Sequence, residues 1–515
     1  MIFRDKGALK GLVTSKKFAV IVSYISLIVH TLSNLVLTPL YLNYLGLDQY
    51  GLYQMIYTVA SYILILDFGI NNAMVRYISK YHATNDYESE KNFSAHCLIT
   101  VVTIIILMLV AGLVMNALLL DIYPTITTEE ADVAHHLMLI MLLVISETVL
   151  ERFVSGFVSA YEHFTVSRIV SVIKLILKII LTICFLYIGM GVIAVALVDA
   201  IIIFASIVFL SMYAIKQLHF KIKLSKFEFL LIIDLISFMF PIFLQAIIGY
   251  INGYVDKTVL GIMTSKADVA IYSIATTFIT LFNSLPTAIS SVFLPKATKM
   301  VFGGSYNSDD LTDFVIRPGR YQFMICGGFV CGFALFGREF ISLWAGPNTV
   351  HAWTVAMIII IPNMIPLIQT STISILDALK KRLFRSLVLF VVSVIHVIIS
   401  VLLVERYGMM GAPIGSAFAF IVGYGVIMNI YYQKEIKIQI GRLFKTIFSK
   451  TWLCLVPAVT IGFVINKLLP DYFWITLMVK GIIFSVVYGV ALLFYGFNNQ
   501  EKKDFSVILK KFGGR

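Results

Sequence analysis

The chain has 515 residues, of which 59% are hydrophobic and only 13% charged, with a mean hydropathy of +0.93 and a formal net charge of +12. A soluble domain carries about one quarter charged residues, so a water-soluble enzyme is excluded. The longest polar connectors, 76–95 and 294–320, are too short to fold as catalytic domains, and no GxxxxGK[ST] phosphate loop is present.

Apolar runs of about 20 residues recur along the chain, each long enough to cross a hydrocarbon core of about 30 Å as a helix. A lipid-exposed backbone must satisfy its own polar groups, and transmembrane strands would alternate apolar and polar residues. The sequence therefore predicts an all-α polytopic membrane protein with about fourteen transmembrane helices. In chain order the first spans are 18–42, with Asn34 and Pro39 marking a bend; 51–75, with Asp67 in LDFG; and 96–120. Span 135–159 carries Glu147, Glu151 and Arg152; 166–188 carries Lys174 and Lys178; 191–214 carries Asp199. The seventh, 230–251, contains Pro241 and runs into GYINGYVDKTVLG, where Asp256 and Lys257 are adjacent. Then follow 268–293; 321–344, ending at Arg338 and Glu339; 353–376, kinked by Pro362 and Pro366; and 386–404, holding His396. The last are 411–432, 451–469 and 474–496, the final one with Lys480 near its outer end, within reach of the interface.

Most of the 40 basic residues fall in alternate loops, from the N-terminal Arg4, Lys6, Lys10, Lys16 and Lys17 to Lys502, Lys503, Lys510, Lys511 and Arg515. The opposite loops hold Lys257, Lys266 and Arg406. The positive-inside rule then puts both termini in the cytoplasm, with 121–134 outside and 377–386 inside. The first apolar run is too long for a cleavable signal peptide. The net positive charge reads as a surface attracted to anionic lipid, not to nucleic acid. Cys97, Cys184, Cys326, Cys331 and Cys454 lie in apolar segments without CxxC spacing and read as core residues. No metal site or cofactor is expected.

Charges at membrane depth are the candidate functional residues. Lys174 and Lys178, four residues apart, share a helix face, and Lys178 lies about 18 Å into its span. They read either as a cradle for a phosphorylated headgroup or as ion-pair partners of Glu147, Glu151 or Asp199. Those three acids are candidates for ion coupling, since desolvation favours a protonated carboxylate. Arg76 follows span two and is a candidate for meeting an incoming anion or an interfacial anchor. Asp256 and Lys257 read as a cavity-lining pair at the outer mouth or as an ion pair at the water boundary. His396 reads as a satisfied core histidine.

Two stretches repeat. LGLDQYGLY, with Gly46 and Tyr53, parallels LGIMTSKADVAIY, with Gly261 and Tyr272, and each tyrosine lies 27 residues before a lysine, Lys80 and Lys299. A parallel repeat six spans long predicts two six-helix bundles, 1–228 and 229–450, around a central cavity, with an extra C-terminal helix pair in 451–515. Gly46 and Gly261 would make equivalent close turns.

The run LTPLYLNYLGLDQYGLYQMIYTVASYILILDFGINNAMVRYISKY, 37–81, resembles the opening of Wzx-type polysaccharide flippases. PIFLQAIIGYINGYVDKTVLGIMTSKADVAIYSIATTFITLF, 241–282, is similar to their seventh and eighth spans, including the Asp-Lys pair. LPTAISSVFLPKATKM, 285–300, is similar to the eighth span of lipid II flippases. The resemblance implies the multidrug/oligosaccharidyl-lipid/polysaccharide exporter superfamily and a non-enzymatic activity. The implied function is translocation of undecaprenyl-pyrophosphate-linked oligosaccharide repeat units from the inner to the outer leaflet of the bacterial plasma membrane, driven by an ion gradient. Substrate-binding candidates are then Lys174, Lys178, Arg76, Asp256 and Lys257. Implied partners are the lipid-linked substrate, membrane lipids, and a polysaccharide polymerase and glycosyltransferases. The last two spans would form a groove for the polyprenyl tail. A lipid II flippase and a multidrug antiporter of the same superfamily are the alternatives; the first lacks its expected Arg-rich opening span here, and the lysine pair argues against a cation site.

Overall fold

A computed structural model describes residues 16–302, 307–379, 381–469 and 473–503, so the basic residues before Lys16, together with Lys380, Lys510, Lys511 and Arg515, lie outside the described residues. The described chain is helical, without strands, and divides into two compact units, Met1–Ala270 and Ile271–Arg515. Large apolar side chains cover its exterior. On α3 (Tyr87–Ala117), Ile99, Val102, Ile106, Val110 and Leu113 are exposed at three- and four-residue steps, a stripe suited to hydrocarbon rather than water.

Eleven helical stretches are long and apolar enough to cross a membrane, or twelve when Phe229–Phe240 and Ile242–Met263, which meet at 40°, count as one bent span. Among the described residues the stretches do not resolve into fourteen separate spans. Two stretches, Leu32–Ala83 and Phe384–Glu435, are 52 residues each. A continuous helix of that length would be about 78 Å, more than twice the hydrocarbon thickness. Each is interrupted at glycine: Gly46 has φ 75° and ψ 176°, and Gly408 has φ 55°.

In the first unit, α1 (Lys16–Ile63) holds the first predicted span and part of the second. The second span is not a continuous helix. After Ile63 the chain tightens into a 3₁₀ turn, Leu64–Asp67, then Phe68 and Gly69 take left-handed conformations before α2 (Ile70–Ala83) begins. Gly69 is needed for space as well as backbone freedom, because a Cβ there would lie 2.7 Å from the Ile242 side chain. Next come α3, started by the Asp86 cap on the Ser89 amide at 3.1 Å, and α4 (Thr128–Ala160), started by a Thr127/Glu130 capping box. The Ser89 side chain and amide hold the Asp86 carboxyl below its ordinary range. Then follow α5 (Phe164–Tyr187), α6 (Gly191–Gln217) and α7 (Phe229–Met263). Helix α4 packs on α2, α3 and α6, and α1 packs on α5 and α7. The α2–α4 contact is tight: a Cβ on Gly156 would sit 2.7 Å from that of Met74.

The expected turn at Gly261 is not there. Gly261 is helical within α7, whose turn follows at Thr264. Its missing Cβ instead admits Tyr123, whose ring would lie 2.7 Å away, and its carbonyl accepts from Thr125 Oγ1 at 2.8 Å. Of the two glycines expected to turn the chain, only Gly46 has the positive φ of a turn.

In the second unit, α8 (Lys266–Phe302) leads into α9 (Ser308–Ala345), α10 (His351–Leu367), α11 (Thr370–Ala378) and α12 (Arg382–Tyr407). The segment Phe420–Met428 is a π-helical turn, and the carbonyls it frees at Tyr424 and Gly425 accept from the Asn429 amide at 3.2 and 2.8 Å. Helix α13 (Ile440–Phe448), read from sequence as a basic loop, is a short amphipathic helix that buries Leu443 and Ile447 against α9 and exposes Arg442 and Lys445. Helices α14 (Leu455–Leu468) and α15 (Trp474–Ala491) close the unit against α9.

Candidate functional site

The Leu64–Gly69 segment interrupts the helical course of the first unit. Asp67 is buried there and pairs with Arg152 of α4. Arg152 also fixes the entry to α2, its carbonyl accepting from Asn71 Nδ2 at 3.1 Å. Immediately beyond the break, Asn72, Val75 and Arg76 of α2 face Phe238, Ile242, Gln245 and Ala246 of α7 across a cavity of about 720 Å³. Asn72, Arg76 and Gln245 are exposed. The Arg76 guanidinium lies 4.3 Å from the Phe238 ring centroid and makes no ion pair among the described residues. An arginine stacked on an aromatic face keeps its in-plane donors available to a planar or tetrahedral anion.

The lysines of α5 are arranged differently. Lys174 donates to both oxygens of Glu151 at 2.7 Å, and Glu151 also accepts from Ser206 Oγ at 2.5 Å. Lys178 lies 2.6 Å from Asp199 of α6. Both lysine side chains are about one quarter exposed. Of the two readings the sequence left open, each lysine meets the ion-pair one through a specific acid. Glu147 is the acid that takes no lysine: it is half-buried, and its Oε2 has no hydrogen-bond partner among the described residues.

Asp256 and Lys257 are both buried, at 4% and 7% exposure, so they do not form a water-boundary pair. Lys257 Nζ donates to Gln54 Oε1 at 3.3 Å. The nearby contacts bind α7 and the start of α8 to the rest of the first unit: Lys266 pairs with Glu130, and a Cβ on Gly51 would overlap the Lys266 carbonyl oxygen at 2.1 Å.

The second unit's interior carries several hydrogen bonds between amide and hydroxyl side chains. Gln369 Nε2 donates to Asn429 Oδ1 at 2.7 Å, Asn363 Nδ2 to Asn283 Oδ1 at 2.6 Å, and Gln322 Nε2 to the Thr370 hydroxyl at 2.7 Å. His396, a core histidine as expected, is buried beside the Ser416 hydroxyl at 3.1 Å. Lys480 and Glu339 depart from expectation. Lys480 is 2% exposed and donates to Glu339 Oε2 at 2.7 Å, joining α15 to α9 instead of reaching for water. Arg320 is also buried; it donates to both oxygens of Glu501 at 2.7 and 3.1 Å and to the Gly496 carbonyl at 2.8 Å.

Sequence reading passed over Asn72, Phe238 and Gln245, and named Arg152 without a role. The signals were present: LDFG holds the breaking glycine, and Asn72 stands four residues before Arg76, on the same helical face. What the sequence lacked was the knowledge that α7 covers that face.

The family described as "Polysaccharide biosynthesis protein" matches residues 18–301. An uncharacterized membrane protein of Methanocaldococcus jannaschii is 21% identical over 501 residues, covering 92% of this chain and 94% of its own. Among solved structures, the inward closed conformation of the lipid II flippase MurJ matches with a TM-score of 0.72 and 16% identity, over 97% of this chain and all of its own. The inward-facing conformation of a multidrug resistance MATE family transporter of the MOP superfamily matches with a TM-score of 0.65 and 16% identity, over 80% of this chain and 96% of its own. The fold is that of this transporter superfamily.

Proposed function

Since the chain belongs to the polysaccharide biosynthesis protein family, whose match spans more than half of it, we propose that it moves oligosaccharide repeat units on an undecaprenyl pyrophosphate carrier from the inner to the outer leaflet of the bacterial plasma membrane. The observation that carries this reading is Arg76. It is an exposed cation without a carboxylate partner among the described residues, on a cavity of about 720 Å³ beside a broken membrane helix. Transferring a pyrophosphate through bare hydrocarbon is prohibitive, since an isolated ion pays tens of kcal/mol on leaving water. A fixed guanidinium replaces part of that hydration with charge-assisted hydrogen bonds. Helix α2 begins at the same cavity, and its N-terminal amides add positive potential toward an anion. Broken helices in transporters serve this end.

In this reading the pyrophosphate meets Arg76, Asn72 and Gln245. Lys174 and Lys178 balance Glu151 and Asp199 within the α4–α5–α6 wall. Glu147, lacking a lysine, is the coupling candidate of the three acids. Asp256 and Lys257 hold the end of α7 to α1. Breaks at Gly46 and Gly408 divide each 52-residue stretch into two crossings, which brings twelve spans to the proposed fourteen and both termini to the cytoplasm. The two six-helix bundles with an added C-terminal pair, and association with a polymerase and glycosyltransferases, belong to the same proposal. The groove between α9 and α15, lined by Phe336, Phe340, Trp474 and Phe484, suits the polyprenyl tail.

The test uses proteoliposomes loaded with a fluorescent undecaprenyl-pyrophosphate disaccharide, scored by the fraction reaching the opposite leaflet under an imposed ion gradient. Wild-type protein is expected to accelerate transfer, Arg76→Gln to abolish it, and Arg76→Lys to retain part. Transfer by wild type no faster than in protein-free liposomes would overturn the proposal.

A further inference from the structure

One stripe of α7 continues beyond the Arg76 cavity. Ile242 and Ala246 line that cavity, and Tyr250, Tyr254 and Thr258 follow at four-residue steps in a row that winds about 40° per step around the helix. The Tyr250 and Tyr254 rings stack at 5.6 Å. Tyr254 then meets two rings of α1 edge-on, Tyr57 at 6.2 Å and Tyr62 at 6.3 Å. Behind Tyr57 the row continues through Tyr53 at 6.0 Å to Tyr41 at 6.1 Å, both buried, which fixes the front rings against a rigid backing.

The front of this row is open. Tyr57 is 37% exposed, Tyr62, Tyr250 and Tyr254 are half-exposed, and Asn252 and Gly253 beside them are exposed. These residues lie within apolar spans, where an exposed hydroxyl or amide cannot face hydrocarbon without losing its hydrogen bonds. A polar space in front of the row would keep those bonds. Near the row, Arg152, which approaches Tyr250, pairs with Asp67, and both Asp256 and Lys257 are buried.

We infer that the Tyr250–Tyr254–Tyr57 row is the binding track for the uncharged sugar rings of the substrate, extending from a pyrophosphate held at Arg76. Pyranose rings present flat C–H faces that pack on aromatic rings while their hydroxyls bond to the tyrosine hydroxyls and amides around them. From Ala246 to Tyr254 the track rises about 12 Å along α7, enough for a short oligosaccharide. The open front of the row presents tyrosine rings, tyrosine hydroxyls and the Asn252 side chain, groups suited to uncharged sugars. This inference rests on the pyrophosphate reading above and specifies what is attached to it.

Binding of two probes to the purified full-length chain separates the two claims. The probes are undecaprenyl pyrophosphate and the same lipid carrying a β-1,4-linked N-acetylglucosamine disaccharide. Wild type is expected to bind the disaccharide form about tenfold more tightly, the gain of one to two well-stacked rings. Tyr250→Leu and Tyr254→Leu should each lose most of that gain and leave the bare lipid's affinity unchanged. Tyr254→Phe, which keeps the ring and loses one hydroxyl, should retain most of the disaccharide gain and bind the bare lipid as wild type does. Arg76→Gln should weaken both probes alike. Equal wild-type affinity for the two probes overturns the sugar track and leaves the pyrophosphate site standing. Equal loss for both probes in the leucine variants, or failure of Tyr254→Phe to preserve the difference, also overturns the track by reducing the tyrosines to packing. Binding of neither probe overturns the pyrophosphate reading itself.

Discussion

Arg152 of α4 pairs with Asp67 at the point where the second apolar segment unwinds. The pair closes a charge that would otherwise be stranded in a broken helix, and the same arginine's carbonyl holds Asn71 at the start of α2. The break and the partner that stabilises it are therefore one structural unit, and α2, which carries Arg76, starts from it.

Asp67→Asn should consequently loosen the break. Removing one member of a fully buried pair costs about 3–5 kcal/mol. Arg152 keeps a side-chain exposure of 38%, so solvent screening reduces the expected loss here to about 2 kcal/mol. A thermal unfolding scan in detergent should show a lower midpoint, and the reciprocal exchange Asp67→Arg with Arg152→Asp should recover part of it. An unchanged midpoint in Asp67→Asn would mean that the ion pair does not hold the break.

Lys178 and Asp199 should behave as a couple. Lys178→Met leaves Asp199 without its counter-charge and should lower the amount of protein recovered from membranes. Lys178→Met with Asp199→Asn should restore abundance, because both charges leave together. If the lysine met the substrate directly, the single variant would accumulate normally and the double variant would gain nothing.

Lys480 and Glu339 form the more completely buried pair, at 2% and 6% exposure. Glu339→Gln should destabilise the chain by about 3–5 kcal/mol, and Glu339→Gln with Lys480→Met should largely reverse the loss. Urea unfolding of the detergent-solubilised protein reads this directly. A stable Glu339→Gln variant would show that Lys480 finds water after all.

Gly46 and Gly51 are five residues apart and should fail differently. Gly46→Ala meets no atom within 4 Å but must hold φ near 75°, a strain of about 1–2 kcal/mol. Gly51→Ala drives a methyl into the Lys266 carbonyl and should cost more, since backbone has to move. Parallel unfolding midpoints should rank Gly51→Ala below Gly46→Ala; the reverse order would show that conformation outweighs contact at this turn.

Topology is open to labelling. A cysteine replacing Glu129 should react with a membrane-impermeant maleimide on intact cells, while one replacing Lys434 should react only after permeabilisation. Both positions are exposed, so failure to label would not reflect burial. Labelling of residue 434 from outside would invert the proposed orientation.

The sequence by itself determined the class of protein and most of the helices. Apolar run length is a local property, and hydrocarbon thickness selects for it whatever the neighbours do. Depth was also legible: Lys174, Lys178, Glu151 and Asp199 stood out because charge in an apolar run has to be answered by something nearby. Which charge answers which was not legible, because the pairing of Lys174 with Glu151 and of Lys178 with Asp199 depends on the rotation of α5 against α4 and α6. Lys480 shows the same limit. Its position near a helix end implied water, and only packing against α9 reveals that Glu339 reaches it first. The unwound segment at Asp67–Gly69 is the deepest case. Hydropathy stays high through LDFG, so a window of about 19 residues reads across it. The break survives because Arg152 pairs with Asp67 through its Oδ2 and because Ile242 leaves room only for glycine at position 69. Both causes lie on other helices, so tertiary structure alone decides where this membrane helix opens and which arginine faces the space it leaves.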